Sequence, residues 1–305
     1  MFCLKRSDPL PSDLKQNHMI PPFYYKTPKT LDEACHLLWA MSGKAKIIAG
    51  GTDLVIGLRN GDLNPQCLID ITKIEELQRI EEKNGTISIG AAVTHSEIAS
   101  SPLLKKFGKI LSEAASEIGS PQIRNLGTIG GNIINASPAA DTIPPLMVLD
   151  AVGKVVSKEG EREVPLGQLF KGAYETNLKP YEILVQIKFE KLPSVVKESF
   201  VRLARREAMA IARMSVAIVL QMEKGRGRIE DIRIALGAVT PTPQRMSDAE
   251  AYLKGKHHEE VLLKMASKKV SEAVIHRSGI RPSTSYKAPV IEAIFIRAMR
   301  KALEE

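Results

Sequence analysis

The chain has 305 residues, 44% hydrophobic and 26% charged, which is an ordinary globular balance and length enough for two domains with real cores. That composition excludes a disordered or fibrous chain, and the longest nearly unbroken apolar run, Met214 to Met222, is too short to span a bilayer. Formal net charge is +8 and sits entirely in the C-terminal part: residues 1–190 hold 21 Lys and Arg against 22 Asp and Glu, whereas residues 191–305 hold 22 against 13.

Residues 1–20 are unpatterned and carry charges where a signal peptide needs an apolar stretch. They read as an N-terminal extension of a cytoplasmic protein. "LDEACHLLWAM" places Leu31, Ala34, Cys35, Leu38 and Trp39 on one helical face, with Thr30 as N-cap. "KIIAGG" and "QCLIDI" read as strands of a small parallel βα unit ending near residue 72. "LQRIEEKNGTISIGAAV" is a hairpin turning at Asn84-Gly85, where a second sheet begins. The apolar spacing from Leu103 to Ala115 predicts one helix of about four turns packed on it.

Short strands then run from Gly153 to Glu190, and the pattern changes near residue 192. "MSVAIVLQMEKGRGRIEDIRIALGAV" is a long hairpin, and "SDAEAYLKG", "EEVLLKMASKKVSEAVI" and "APVIEAIFIRAMRKAL" read as helices. Cys3, Cys35 and Cys67 are widely separated, and the six histidines lack ligand spacing. Neither set frames a disulfide network or a metal site.

Two stretches set a small hydroxyl residue beside paired glycines: "KIIAGGTDL" and "NLGTIGGNIINASPAAD". Tight glycine turns can expose successive N–H groups as a concave anion nest, with no Cβ to hold a phosphate away. For either stretch alone a packed-sheet turn is the simpler account, but the pair favours a phosphate-bearing cofactor. No GxGxxG or GxxxxGK[ST] occurs, which disfavours a Rossmann fold or a P-loop.

"IIAGGTDL" and "RNLGTIGGNIINASPAAD", supported by "ISIGAAVTHSEI", "RLARREAMAIARMSVAI" and "IRIALGAVTPTPQR", resemble the flavin subunits of the molybdenum hydroxylases. These are the medium chains of xanthine dehydrogenase and aerobic carbon monoxide dehydrogenase type, and the resemblance runs from about Pro22 to the C-terminus. It implies an α+β chain: a two-lobed FAD-binding domain of the vanillyl-alcohol oxidase / PCMH type over 21–191, with lobes of about 21–75 and 76–191. A small antiparallel sheet with helices would follow over 192–305.

The resemblance also implies FAD held by Ile47, Ile48, Ala49, Gly50, Gly51, Thr52, Asp53 and Leu54, with the diphosphate on the amides of Ala49 to Asp53. A second loop, Thr128, Ile129, Gly130, Gly131 and Asn132, would close on the same phosphates, Asp141 would accept from the ribityl hydroxyls, and Ile118 and Leu178 would lie near the cofactor. Asp141 could serve instead as a helix N-cap, and Asp53 could cap a following turn. Arg124, Arg202, Arg205 and Arg206 could face the cofactor, a partner or solvent.

The implied partners are a molybdenum-cofactor large subunit and an iron–sulfur small subunit, with electrons leaving the flavin for NAD or another acceptor. No catalytic acid, base or metal ligand is nominated in this chain. A family branch with an extra four-iron cluster in this subunit is disfavoured, because three separated cysteines cannot ligate it. A stand-alone FAD reductase resembling UDP-N-acetylenolpyruvoylglucosamine reductase is the alternative, and a basic module for nucleic acid or an acidic partner is the third reading.

Overall fold

The structure is a computed structural model that describes residues 20–304 apart from 207–208 and 281–283. The expected extension 1–20, except Ile20, and Cys3 lie outside the described residues. No helix among the described residues is long and apolar enough to cross a membrane.

The first unit is a three-stranded parallel sheet of β1 (Tyr24–Lys26), β2 (Ala45–Ile48) and β3 (Cys67–Asp70), in the order β1-β3-β2. Helix α1 (Leu31–Ala40) crosses between the first two strands and α2 (Leu54–Asn60) between the next two. The Thr30 hydroxyl accepts from the Glu33 amide and starts α1, which buries Ala34, Cys35 and Leu38. Trp39, expected on that face, instead sits at its rim with its ring edge-on to Tyr181 at 5.0 Å.

The second unit is built on a five-stranded antiparallel sheet in the order β4-β5-β10-β6-β7. Its strands are β4 (Ile80–Lys83), β5 (Thr86–Gly90), β6 (Val152–Ser157), β7 (Gly160–Pro165) and β10 (Ile183–Glu190), and a two-stranded ribbon of β8 (Phe170–Gly172) and β9 (Glu175–Thr176) lies between the last two in sequence. The β4–β5 turn has φ of 53° at Asn84 and 86° at Gly85, the left-handed pair that lets a two-residue turn follow the strand twist.

The single four-turn helix expected here is three helices: α3 (His95–Ser100), α4 (Pro102–Phe107) and α5 (Lys109–Ser116). Ser101 precedes a proline, which clears it from the helical region, and its hydroxyl caps α4 instead. Gly108, at φ −163°, makes the second break, and a Cβ there would stand 3.1 Å from the Phe189 ring. Helices α6 (Pro121–Leu126), α7 (Ile129–Asn135) and α8 (Ile143–Val148) complete the unit.

The C-terminal unit is an antiparallel sheet of β11 (Val196–Ala204), β12 (Ala212–Met222), β13 (Ile229–Gly237) and β14 (Gln244–Arg245), with α9 (Ser247–Leu253), α10 (Glu260–Ser278) and α11 (Thr284–Glu304). Val216, Ile218, Ile232 and Ile234 bury one face of it against these helices. Phe200, Ala217, Val219 and Ala235, on the opposite face, enter the core of the second unit. That alternation along each strand makes one sheet serve two cores.

Candidate cofactor site

Of the first glycine stretch, Ile47 and Ile48 end β2, Ala49 to Asp53 form a turn and Leu54 opens α2. Gly51 has φ +70°, a left-handed conformation open to glycine at no steric cost. At Gly50 the demand is proximity: a Cβ would stand 1.8 Å from the Leu126 carbonyl oxygen. What comes close to this glycine is therefore the protein's own backbone, at the start of the second stretch. The amides of Gly50, Gly51, Thr52 and Asp53 donate to no backbone carbonyl among the described residues. Four successive uncommitted N–H groups in one turn are the makings of an anion cradle.

The second stretch is not the open loop expected. Thr128 caps α7, its hydroxyl accepting from the Gly131 amide at 3.1 Å. The Ile129 amide donates to Val93, Gly130 to Ala91 and Asn132 to Thr128, each at 2.9 Å. Every backbone donor from 129 to 132 is thus spent inside the protein, and a second nest of free amides does not form. A Cβ at Gly130 would meet Ala91 at 2.6 Å, whereas at exposed Gly131 it would meet only the Thr128 hydroxyl, at 3.0 Å. The Asn132 side-chain oxygen accepts from the Thr142 hydroxyl at 2.6 Å, which leaves its NH₂ as the group free to donate outward.

The two stretches lie side by side. Besides the Gly50–Leu126 contact, the Asn135 side-chain amide donates to Asp53 Oδ1 at 3.1 Å, and Thr52 donates to Asp53 Oδ2 at 3.3 Å. The Asp53 carboxylate therefore bridges to α7 rather than capping α2.

Asp141 caps no helix either; the cap position of α8 is Thr142, with no side-chain cap bond. Its buried carboxylate meets the guanidinium of Arg202, Nη1 to Oδ2 at 3.1 Å, while Oδ1 has no partner among the described residues. Burial pushes its pKa up to about 6 despite the opposing pull of Arg202. A buried acceptor oxygen with nothing to accept from is costly, and a ligand hydroxyl would satisfy it. The turn of free amides and this orphan oxygen fit an FAD diphosphate and ribityl chain.

Ile118 is half-buried beside Glu117, its carbonyl held by Arg124 Nη1 at 2.9 Å, and Leu178 packs against the second unit's core. Arg205 and Arg206 are exposed. The reading from sequence missed a cleft of about 400 Å³ between the second and C-terminal units, lined by Ser137–Ala139, Tyr174, Arg213, Tyr286 and Lys287 among others. Tyr174 and Ala238 line it, and Ala136 precedes it, all three at φ between 48° and 61°. Such conformations in residues with a Cβ cost about 1–3 kcal/mol each and gather where ligands are handled.

Residues 21–191 match the family described as the FAD binding domain in molybdopterin dehydrogenase. The chain belongs to this family. Residues 199–302 of this FAD-binding subunit match the CO dehydrogenase flavoprotein C-terminal domain. It is 31% identical to the nicotinate dehydrogenase FAD-subunit of Eubacterium barkeri, covering 93% of this chain and 97% of that protein. It is 32% identical to the carbon monoxide dehydrogenase medium chain of Hydrogenophaga pseudoflava, covering 93% and 98%. The solved carbon monoxide dehydrogenase of that organism superimposes with a TM-score of 0.88 over 94% of this chain and 99% of its own, and quinoline 2-oxidoreductase of Pseudomonas putida 86 with 0.85 over 94% and 98%. The subunit is thus an oxidoreductase chain of the FAD-binding medium type.

Proposed function

We propose that this chain is the electron-transfer subunit of a cytoplasmic molybdenum hydroxylase, taking electrons from the iron–sulfur clusters of a small partner subunit and passing them by way of FAD to NAD or another acceptor. A large partner subunit would hold the molybdenum cofactor. The observation that carries the reading is the run of four uncommitted amides from Gly50 to Asp53, tied through Asn135 to the second glycine stretch. Bound FAD would supply the chemistry, accepting electrons singly and releasing them in pairs. The chain's residues bind and orient.

In this proposal residues 21–191 hold the cofactor, in lobes of about 21–75 and 76–191, and 192–305 form the C-terminal domain. Ala49 to Asp53 donate to the diphosphate, flanked by Ile47, Ile48 and Leu54. The Thr128 hydroxyl and the Asn132 NH₂ approach from the second stretch, where Ile129, Gly130 and Gly131 set the close backbone. Asp141 accepts from the ribityl hydroxyls, and Ile118 and Leu178 supply apolar surface. The adjacent cleft is lined by Arg213 and Lys287 with no carboxylate among the described lining residues, which suits an anionic acceptor such as a dinucleotide.

The test is purification of the complex from its native host with FAD, molybdenum and iron quantified against this polypeptide. Near-stoichiometric FAD arriving with two further chains, molybdenum and iron is expected. FAD on an unaccompanied chain would move the assignment to the stand-alone reductase, and a chain without flavin would overturn both.

A further inference from the structure

Arg202 stands near the end of β11, pairs with Ser215 across the ladder and is only 5% exposed at its side chain. Its guanidinium meets three segments at once. Nε lies 2.8 Å from Glu117 Oε2 at the end of α5, and Nη1 reaches Asp141 Oδ2 and the Ala210 carbonyl, both at 3.1 Å. Glu117 adjoins Ile118. Asp141 follows the Ser137–Ala139 wall of the cleft, and Ala210 leads into the Ala212–Arg213 wall opposite. One side chain from the C-terminal unit therefore ties both walls of the cleft to the carboxylate of the candidate site.

Resting on the FAD reading above, we infer that Arg202 is the positioning residue for the flavin end of the cofactor: it occupies Asp141 Oδ2, leaves Oδ1 as the acceptor for the ribityl hydroxyls, and clamps the segment entering β12. The planar fork is needed because it presents several donors in fixed directions. A lysine ammonium could face Asp141 as a point charge but could not hold the same three acceptors in that geometry. The charge count agrees, since one buried cation faces two carboxylates and neither acid has another basic partner among the described residues. The ADP half of the cofactor lies outside this arrangement, because its cradle is the Gly50–Asp53 turn.

The experiment uses the full-length chain, stripped of flavin, with wild type, Arg202→Met and Arg202→Lys titrated by quenching of FAD fluorescence and by competition with ADP. Loss of a charge-assisted hydrogen-bond network predicts FAD affinity about tenfold or more weaker in Arg202→Met. ADP competition should be unchanged, and Arg202→Lys should fall between. Unchanged FAD affinity in Arg202→Met, or an equal loss for ADP and FAD, would overturn the inference. Wild type that binds no FAD would instead overturn the cofactor reading itself.

Discussion

The Asn135 side chain donates to Asp53 across 82 positions of sequence, and this single bond joins the end of α7 to the start of α2. It holds the turn of free amides at a set distance from Gly131 and Asn132. Exposed hydrogen bonds contribute modestly, about 0.5–1.5 kcal/mol. Asn135→Ala should therefore weaken FAD binding by roughly threefold to tenfold, with little change in the melting temperature of the apo chain. An unaltered dissociation constant would detach the bridge from cofactor binding.

The glycines separate into two classes by what their missing Cβ would meet. Gly50→Ala drives a methyl into the Leu126 carbonyl and should destabilise the apo protein by roughly 3 kcal/mol or more. Gly131→Ala meets only a hydroxyl and should melt like wild type while losing FAD affinity. Thermal melts of the apo variants, followed by FAD titration of those that fold, test the pair. A destabilised Gly131→Ala with normal affinity per folded molecule would show that the position serves packing alone.

Two buried groups give the fold opposing responses to pH. Asp141 is raised from 3.8 to about 6, so the native state binds its proton more tightly than the unfolded chain, and stability from this group is lost as pH rises through about 6. His95, whose Nδ1 has no partner among the described residues, is lowered from 6.5 to about 4 by burial and by Arg124. The unfolded chain binds that proton more tightly, so this contribution grows as pH rises from about 4 to 6.5. Each is on the order of 3 kcal/mol and they largely cancel. Denaturant titrations from pH 4 to 7 should show stability rising with pH in Asp141→Asn and falling in His95→Gln; parallel curves for the two variants would refute the opposition.

The C-terminal excess of positive charge gives the partner proposal a salt signature. Lys268 is exposed on α10 and Lys269 lies 5.3 Å over the Tyr252 ring. Reversing both to Glu should reduce recovery of the small partner subunit at low ionic strength, with the difference shrinking as salt screens it. Equal recovery at all salt concentrations would remove this patch from the interface.

The features legible in the sequence are those whose cause is local. Thr30 caps α1 because its hydroxyl reaches an amide three residues on, and Asn84-Gly85 turns because both residues accept a positive φ. The long helix broke because apolar spacing ignores what Ser101-Pro102 and Gly108 do to the backbone. The second glycine stretch read as a loop, yet Thr128 and the 91–93 backbone absorb its amides. Four arginines could not be ranked from sequence. Only the fold shows that Arg202 meets Asp141, 61 positions away, while Arg205 and Arg206 face solvent.

Phe200, Ala217, Val219 and Ala235 fill the second unit's core from strands whose opposite face anchors α9–α11. Cutting the gene near codon 192 would strip a wall from the cofactor-bearing half and leave a raw apolar face on each fragment. The two halves accordingly behave as one cassette: a graft, a split reporter or a shortened expression clone has to carry them together.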